Sequence, residues 1–336
     1  MFELLGISLL LVGLLIFNSM ASLVTAGAWR VCRRFTTGWS AQARARLIFF
    51  LRTLPAFLAI LCVSFLLVPA YVAFEPRHTT EAISVKLGLL ALMSAITISF
   101  TLVRSIAAWR ATTRLKTDWL LKAEPIVLKG VNIQTFRIEH AFPLIAIIGV
   151  FKPRLFIASQ VFSILSPDEI AAAVAHENGH IDARDNLKRG LMRACRDALL
   201  ILPTGRWLDS DWAEAAEEAA DEYAAQRGNG VALDLASALV KIARSIPKGA
   251  RPTMPAGVFL IGDIETEANG IRWRVKRLVE IAQVGLPHQE RRSSVLHTII
   301  WGALAISVII AGSFLHIQNI LVSVHVLIEQ AVQFLR

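Results

Sequence analysis

The five residues His176-Glu177-Asn178-Gly179-His180 are the stretch of this chain best equipped to do chemistry. They fit the pattern HExxH. On a helix, residues four apart lie one turn from each other on the same face, so both imidazoles can converge on one Zn²⁺. Glu177 projects beside them, where a carboxylate can take a proton from a water that the metal activates. Two histidines alone do not hold a catalytic metal, so a third protein ligand is required. Residues 213–227 read AEAAEEAADEYAAQR and form a second candidate helix. On it Glu217 and Asp221 are spaced i, i+4 and share a face. Glu217 can complete the metal site, and Asp221 can accept a hydrogen bond from a ligand histidine and fix its tautomer. Glu214, Glu218 and Glu222 read as the solvated side of the same helix. The chemistry this set would perform is metal-assisted peptide hydrolysis. An oxyanion donor is also needed, and His140, Tyr223 and Arg227 are unranked candidates for it.

These groups need a helix with a defined start. Ser166-Pro167-Asp168-Glu169 supplies one: Ser166 is a fitting N-cap, Pro167 a fitting first helical residue, and Glu169 completes a capping box. The spacing predicts a helix running through Ile170, Val174 and His176 to about Arg184. Ala171-Ala172-Ala173 favours helix strongly, whereas Gly179 costs about 1 kcal/mol relative to Ala. That glycine predicts a backbone or a substrate approaching closely beside the metal. Upstream, Ile126–Leu128, Asn132–Glu139, Leu144–Val150 and Arg154–Ala158 are apolar or alternating runs between turn residues and read as a small sheet. Leu144–Val150 or Arg154–Ala158 is expected to offer an edge to which substrate adds as a strand.

The setting for this machinery is a membrane. The 336 residues are 55% hydrophobic with mean hydropathy +0.55. The apolar share of soluble domains is usually about 45–50%. The excess lies in the first third and last tenth, where residues 4–26, 55–74, 87–106 and 295–315 each approach the roughly 20 residues a span requires. The expected organisation is three transmembrane helices in 1–109, a domain at 110–292, a fourth span within 293–316 and a short apolar helix at 317–336. That last helix is either interfacial or an extension of the fourth span, and it is too short for a sensor domain.

Arg30, Arg33, Arg34, Arg44 and Arg46 place a basic loop at 27–50 in the cytoplasm. Arg104, Arg110, Arg114, Lys116 and Lys122 follow the third span, and Arg291 and Arg292 precede the fourth. Both clusters put the central domain on the same side, with both termini outside. The first span is not expected to be a cleaved signal peptide, since its positive charges follow its apolar core. Arg52 and Lys86, at span ends, read as snorkelling side chains. Net charge is +9. Its basic residues flank apolar segments, which indicates membrane orientation rather than direct nucleic-acid binding. Cys32, Cys62 and Cys195 have no metal or disulfide spacing and read as unpaired thiols.

The run AHENGHIDARDNL at 175–187, then EEAAD at 217–221, inside a four-span frame, resembles the BlaR/MecR-type antirepressor metallopeptidases. These are membrane gluzincins whose zinc domain lies between the third and fourth spans. Residues 152–158, 165–170 and the basic-apolar Arg274–Leu278 add to the likeness, which covers most of 1–316. The resemblance implies a membrane α-helical frame of about four transmembrane helices with an α+β gluzincin zinc-peptidase domain inserted between the third and fourth. It implies His176, His180 and Glu217 as Zn²⁺ ligands, Glu177 as general base and acid, and Asp221 as the hydrogen-bond partner of a ligand. Asp185 matches a family position and reads as a capping or orienting residue. A protein or peptide substrate follows, with a transcriptional repressor as the type the family cleaves, in a cytoplasmic (inner) membrane of bacterial type. The chain departs from the family in having about twenty residues after the last span, where the antirepressors carry a large antibiotic-binding domain, so direct β-lactam sensing is not expected. Two other readings stand beside this one: a housekeeping membrane protease of the HtpX/CAAX-processing type, and a non-catalytic signal transducer stapled by a metal. Glu177 argues against the last, because metal binding alone does not need that carboxylate. Nothing in the sequence signals the oligomeric state.

Overall fold

The computed structural model describes residues 2–36, 38–76, 83–128, 130–131, 133–198, 204–228, 230–246, 258–260, 268–285 and 317–335. The expected fourth span at 295–315, with Arg291 and Arg292, lies outside the described residues.

Three long apolar helices open the chain. The first is α1 (Phe2–Cys32), extended by a 3₁₀ turn at Arg33–Phe35. The second is α2 (Ala41–Cys62), which passes through a π-turn at Val63–Leu67 into α3 (Val68–Phe74). The π-turn falls where Pro69, at the start of α3, lacks an N–H and its ring crowds the carbonyl four residues earlier; one extra residue per turn relieves that clash. The third is α4 (Val85–Leu120). Each of these three assemblies is long and apolar enough to cross a membrane, at 34, 34 and 36 residues. At 1.5 Å per residue they reach roughly 50 Å, well beyond a hydrocarbon core of about 30 Å. Large side chains such as Leu23, Val24, Phe57, Phe65, Leu92 and Val103 face outward along them. The basic stretch at 27–50 is therefore mostly helical rather than a loop. Residues up to Cys32 continue α1 and those from Ala41 belong to α2, because helix-forming residues carry both helices past their apolar cores.

The rest of the described chain forms a sheet and a helical layer. Strands β1 (Glu124–Ile126), β2 (Thr135–Ile138), β3 (Ile145–Ile148), β4 (Arg154–Ala158) and β5 (Val258–Leu260) are ordered β1-β2-β4-β3-β5. Only the β2/β4 pair is parallel. The helices are α5 (Ser159–Ile164), α6 (Pro167–Ala183), α7 (Asp185–Asp197), α8 (Thr204–Ala225), α9 (Val231–Ser245) and α10 (Ala268–Val284). One core joins them: Ile145, Ile147, Leu155 and Ile157 of the sheet pack with Ala172 and Ala173 of α6, Leu235 and Leu239 of α9, and Leu278 of α10. Burying each of these Ile and Leu side chains stabilises the fold by about 1.5–3 kcal/mol.

The first strand sits two residues earlier than the run 126–128 suggests. A larger correction concerns the sheet edge. β4 lies between β2 and β3, and β3 is itself covered by β5 in the register Ala146↔Leu260, Ile147↔Phe259 and Ile148↔Val258. Neither strand expected to present an edge does so.

The segment after the expected fourth span is helix α11 (Ile317–Leu335). Its Ile328 is buried with Leu5 of α1, Tyr71 of α3 and Leu87 of α4. It thus packs on the end of the apolar bundle remote from the arginines. The three cysteines are free.

Candidate metal centre

Helix α6 begins as its sequence dictates. The Ser166 hydroxyl accepts from the Glu169 amide at 3.3 Å, and the Glu169 carboxylate accepts from the Ser166 amide at 2.8 Å. The same carboxylate also accepts from the Ser237 hydroxyl at 2.5 Å and pairs with the Lys241 ammonium at 2.7 Å, tying α6 to α9. Burial works against the charged Glu169, but Lys241, Ser237 and the Ser166 amide outweigh it and lower its pKa to about 2. Two turns on, His176, Glu177 and His180 all lie on the buried side of α6.

The helix then stops at Arg184, whose φ of 55° puts it in the left-handed region. Such a residue costs about 1–2 kcal/mol when it is not glycine. The break has a use. On an unbroken helix a residue five positions after His180 would point about 140° away from it. After the break, Asp185 begins α7 and returns to within 2.9 Å of His180 Nδ1. Asn186 secures the turn by donating to the carbonyls of Ile147 and Gly149 in and after β3.

The third side chain comes from α8. Glu217 places Oε2 at 3.5 Å from His176 Nε2 and Oε1 at 3.7 Å from His180 Nε2. The two Nε2 atoms are 3.2 Å apart. His176, His180 and Glu217 thus offer three ligand atoms within 4.8 Å of one another, a set that could hold a metal ion. Asp221, one turn further along α8, lies 2.8 Å from His176 Nδ1. Nδ1 of His176 and of His180 therefore lies 2.8 and 2.9 Å from a carboxylate oxygen, which in a neutral ring favours the tautomer with its lone pair on Nε2.

Gly179 explains how α8 comes so near. A Cβ at this position would sit 3.1 Å from Ala220 Cα and 3.3 Å from both Ala220 Cβ and Tyr223 Cβ. The glycine admits the backbone of α8.

Glu177 is fully buried, and neither of its carboxylate oxygens has a hydrogen-bond partner among the described residues. Burial raises its pKa, with help from the charge on Glu217 and against His176 and Arg274, to about 8. Burial favours a neutral ring at His176, but Asp221 and Glu217 override it and raise that pKa to about 9. At His180 burial wins, and the pKa falls. Buried polar oxygens are nearly always hydrogen-bonded, so the two unpartnered oxygens of Glu177 are a feature that stability alone does not call for. The donor set of two imidazole nitrogens and one carboxylate is the chemistry that suits a catalytic zinc, which keeps its fourth position for water or substrate.

One central residue, which opens the basic-apolar run 274–278, has no role assigned by the sequence. Arg274 of α10 spans both α8 carboxylates, with Nε and Nη2 at 2.9 and 2.7 Å from the two Asp221 oxygens and Nη1 2.8 Å from Glu217 Oε2. Burial alone would push Glu217 and Asp221 upward; Arg274 holds both below their ordinary values. The signal that could have found it is charge complementarity between the acidic 213–222 and the basic 272–277.

Other expectations fare differently. Glu218 and Glu222 are not solvated: both are buried, Glu218 against Arg44 and Arg277, and Glu222 against Arg277 and the Ala41 amide. They face cations brought from distant sequence, which periodicity within α8 cannot reveal. Glu214 is exposed. Arg52 does not snorkel; it is 4% exposed and pairs with Asp209 at 3.1 Å. Lys86 is exposed. Of the oxyanion candidates, the Tyr223 hydroxyl donates to Asp182 and accepts from Arg227. The His140 ring accepts from the Phe142 amide within its own turn and lies edge-on to Trp119.

Residues 146–244 match the model of peptidase family M48. That region spans β3 through α9 and holds every side chain of the centre except Arg274. It supports a zinc metallopeptidase family for this segment. The match names M48, not the antirepressor family, and is shorter than the stretch that resemblance covers. No curated protein matches the chain.

Proposed function

We propose that this protein is an integral-membrane zinc endopeptidase that hydrolyses peptide bonds of a cytosolic or juxtamembrane protein. The observation that carries the reading is the convergence of His176, His180 and Glu217 around buried, unpartnered Glu177. The M48 match and the three apolar helices support it. Zinc bound there would acidify a water toward a pKa of about 7 and polarise the scissile carbonyl. His176 and His180 would hold it through Nε2 and Glu217 through its carboxylate, while Asp221 and Asp185 keep the rings from turning. Glu177 would take the proton of the attacking water and deliver it to the departing amine as the C–N bond breaks. Arg274 keeps Glu217 and Asp221 ionised throughout.

The frame is read as four spans, the fourth lying in 293–316, with the peptidase domain cytoplasmic and both termini outside. The arginines at the α1–α2 junction and along the end of α4 support that orientation. Cleavage of a transcriptional repressor is the finer reading, resting on the likeness of residues 175–187 and 217–221 to the antirepressor gluzincins. The M48 match gives independent weight to a second one, a housekeeping membrane protease of the HtpX/CAAX-processing type.

The test is purification in detergent, determination of zinc content, and cleavage of a denatured protein by wild type and by Glu177→Gln. About one zinc per chain, with cleavage only by wild type, is the expected result. Zinc without Glu177-dependent cleavage would favour a metal-stapled scaffold; no zinc at all would end the proposal.

A further inference from the structure

The helix that supplies Glu217 is gripped from its other side by the first two apolar helices. Trp29, near the end of α1, donates its indole N–H to Asp211 at 2.7 Å. Arg44, in the first turn of α2, pairs with Glu218, the residue next to Glu217. The Ala41 amide, an otherwise orphaned donor at the start of α2, donates to Glu222 at 3.3 Å. Arg52, a further two turns along α2, pairs with Asp209. Between these polar contacts, Trp29, Ala45 and Ile48 of the apolar helices pack with Leu208, Trp212, Ala215 and Ala216 of α8. The seam runs from Asp209 to Glu222, so it brackets Glu217.

A seam of this kind does more than attach a domain. Glu217 reaches the centre from α8 alone, and its two oxygens stand 3.5 and 3.7 Å from the histidine nitrogens. Ligand distances of zinc sites are fixed to about 0.2 Å. A small slide or roll of α8 would therefore spoil the site while leaving His176 and His180, both on α6, unmoved. Arg274 and Arg277 restrain α8 from the α10 side. From α1 and α2 the restraint comes through Asp209 and Asp211 and through Glu218 and Glu222, the last two shared with Arg277.

We propose that Arg44 and Trp29 are positioning residues for Glu217, so that metal affinity at the HENGH centre is set in part by the first two apolar helices. This rests on the metal-site reading above. It also means that a displacement of these helices, however caused, would be read out at the metal.

The experiment uses the full chain in detergent or lipid nanodiscs, with zinc affinity measured by competition against a chromogenic chelator. Arg44→Gln is expected to weaken zinc binding severalfold, less than the roughly 10–100-fold that direct partners of metal ligands contribute, because Arg44 reaches Glu217 only through its neighbour Glu218. Arg44→Lys, which keeps a cation near Glu218, is expected to restore most of it. Trp29→Phe removes one N–H and keeps the packing, so it remains informative even if Arg44→Gln folds poorly; about threefold weakening is expected. Arg46→Gln, at an exposed site on the same helix, should bind as wild type. Thermal unfolding followed in parallel separates a shifted ligand from a collapsed domain. If Arg44→Gln and Trp29→Phe hold zinc as tightly as wild type, the proposal is wrong. If wild type itself holds no zinc, the metal-site reading has failed and the proposal falls with it.

Discussion

Helices α6 and α8 meet at the same centre but are specified in opposite ways. Nearly everything α6 needs is local: its cap at Ser166, its capping-box partner at Glu169, its Ala run, its two histidines and its close-approach glycine all lie within fifteen residues. α8 is defined from afar. Its acidic residues answer to Trp29, Arg44 and Arg52 upstream and to Arg274 and Arg277 downstream. The difference teaches that a motif helix can be built by its own sequence, whereas the helix that completes the site depends on partners from the membrane frame and from α10. Damage to the histidines of α6 should be chemical and confined; damage to the partners of α8 should spread to folding.

The sharpest way to break that contrast is Arg274→Ala. It leaves Glu217 and Asp221 buried without their shared cation, which costs about 3–5 kcal/mol when a buried pair is broken. Thermal or denaturant unfolding should show a loss of that size together with loss of zinc. An unchanged unfolding midpoint would show that α8 does not depend on α10.

Next come the two aspartates. Asp221→Asn and Asp185→Asn should each weaken zinc binding about 10–100-fold by releasing an imidazole, with little change in helix content. Asp221 faces Arg274 as well as His176. Its replacement should therefore also destabilise the fold, while that of Asp185, on the α6 side, should not. Equal effects on stability would erase the distinction between the helices.

Gly179→Ala tests the contact itself. The added methyl meets the Ala220 backbone at 3.1 Å, and overpacking of this kind costs about 1–3 kcal/mol. Calorimetry on the purified protein should show it.

The start of α6 supplies a test by pH. Glu169 has a pKa lowered to about 2, so its contribution is present above the unfolded value near 4.5 and is lost as pH falls toward 2. Glu169→Ala should lower stability at neutral pH, where the Ser166, Ser237 and Lys241 contacts are all made. The deficit relative to wild type should shrink as pH falls from about 4.5 toward 2, where folded wild type loses the same charge.

The sequence made α6 legible because caps, helix formers and HExxH are local features. Long apolar runs revealed the cores of α1, α2 and α4 for the same reason. Their ends were less legible: α1 runs on to Cys32 and α4 to Leu120, because polar helix formers continue what the apolar run begins. Strand β5 escaped notice since three residues carry little pattern and its partner β3 lies over a hundred residues away. Within the centre, HENGH and the i, i+4 pair Glu217 and Asp221 stood out by spacing. Arg274, Arg44 and Arg52 did not, because a cation's partner is chosen by the fold rather than by its neighbours in sequence. The same blindness turned Glu218 and Glu222 into apparent surface residues.

X-ray absorption at the zinc edge of the purified protein tests the central claim most directly. The expected spectrum has two imidazole nitrogens near 2.0–2.1 Å and oxygen ligands near 2.0–2.2 Å with no sulfur shell, and in a Glu217→Ala variant the zinc is lost or its oxygen shell changes. A sulfur shell near 2.3 Å, or a spectrum unaltered by Glu217→Ala, would contradict it.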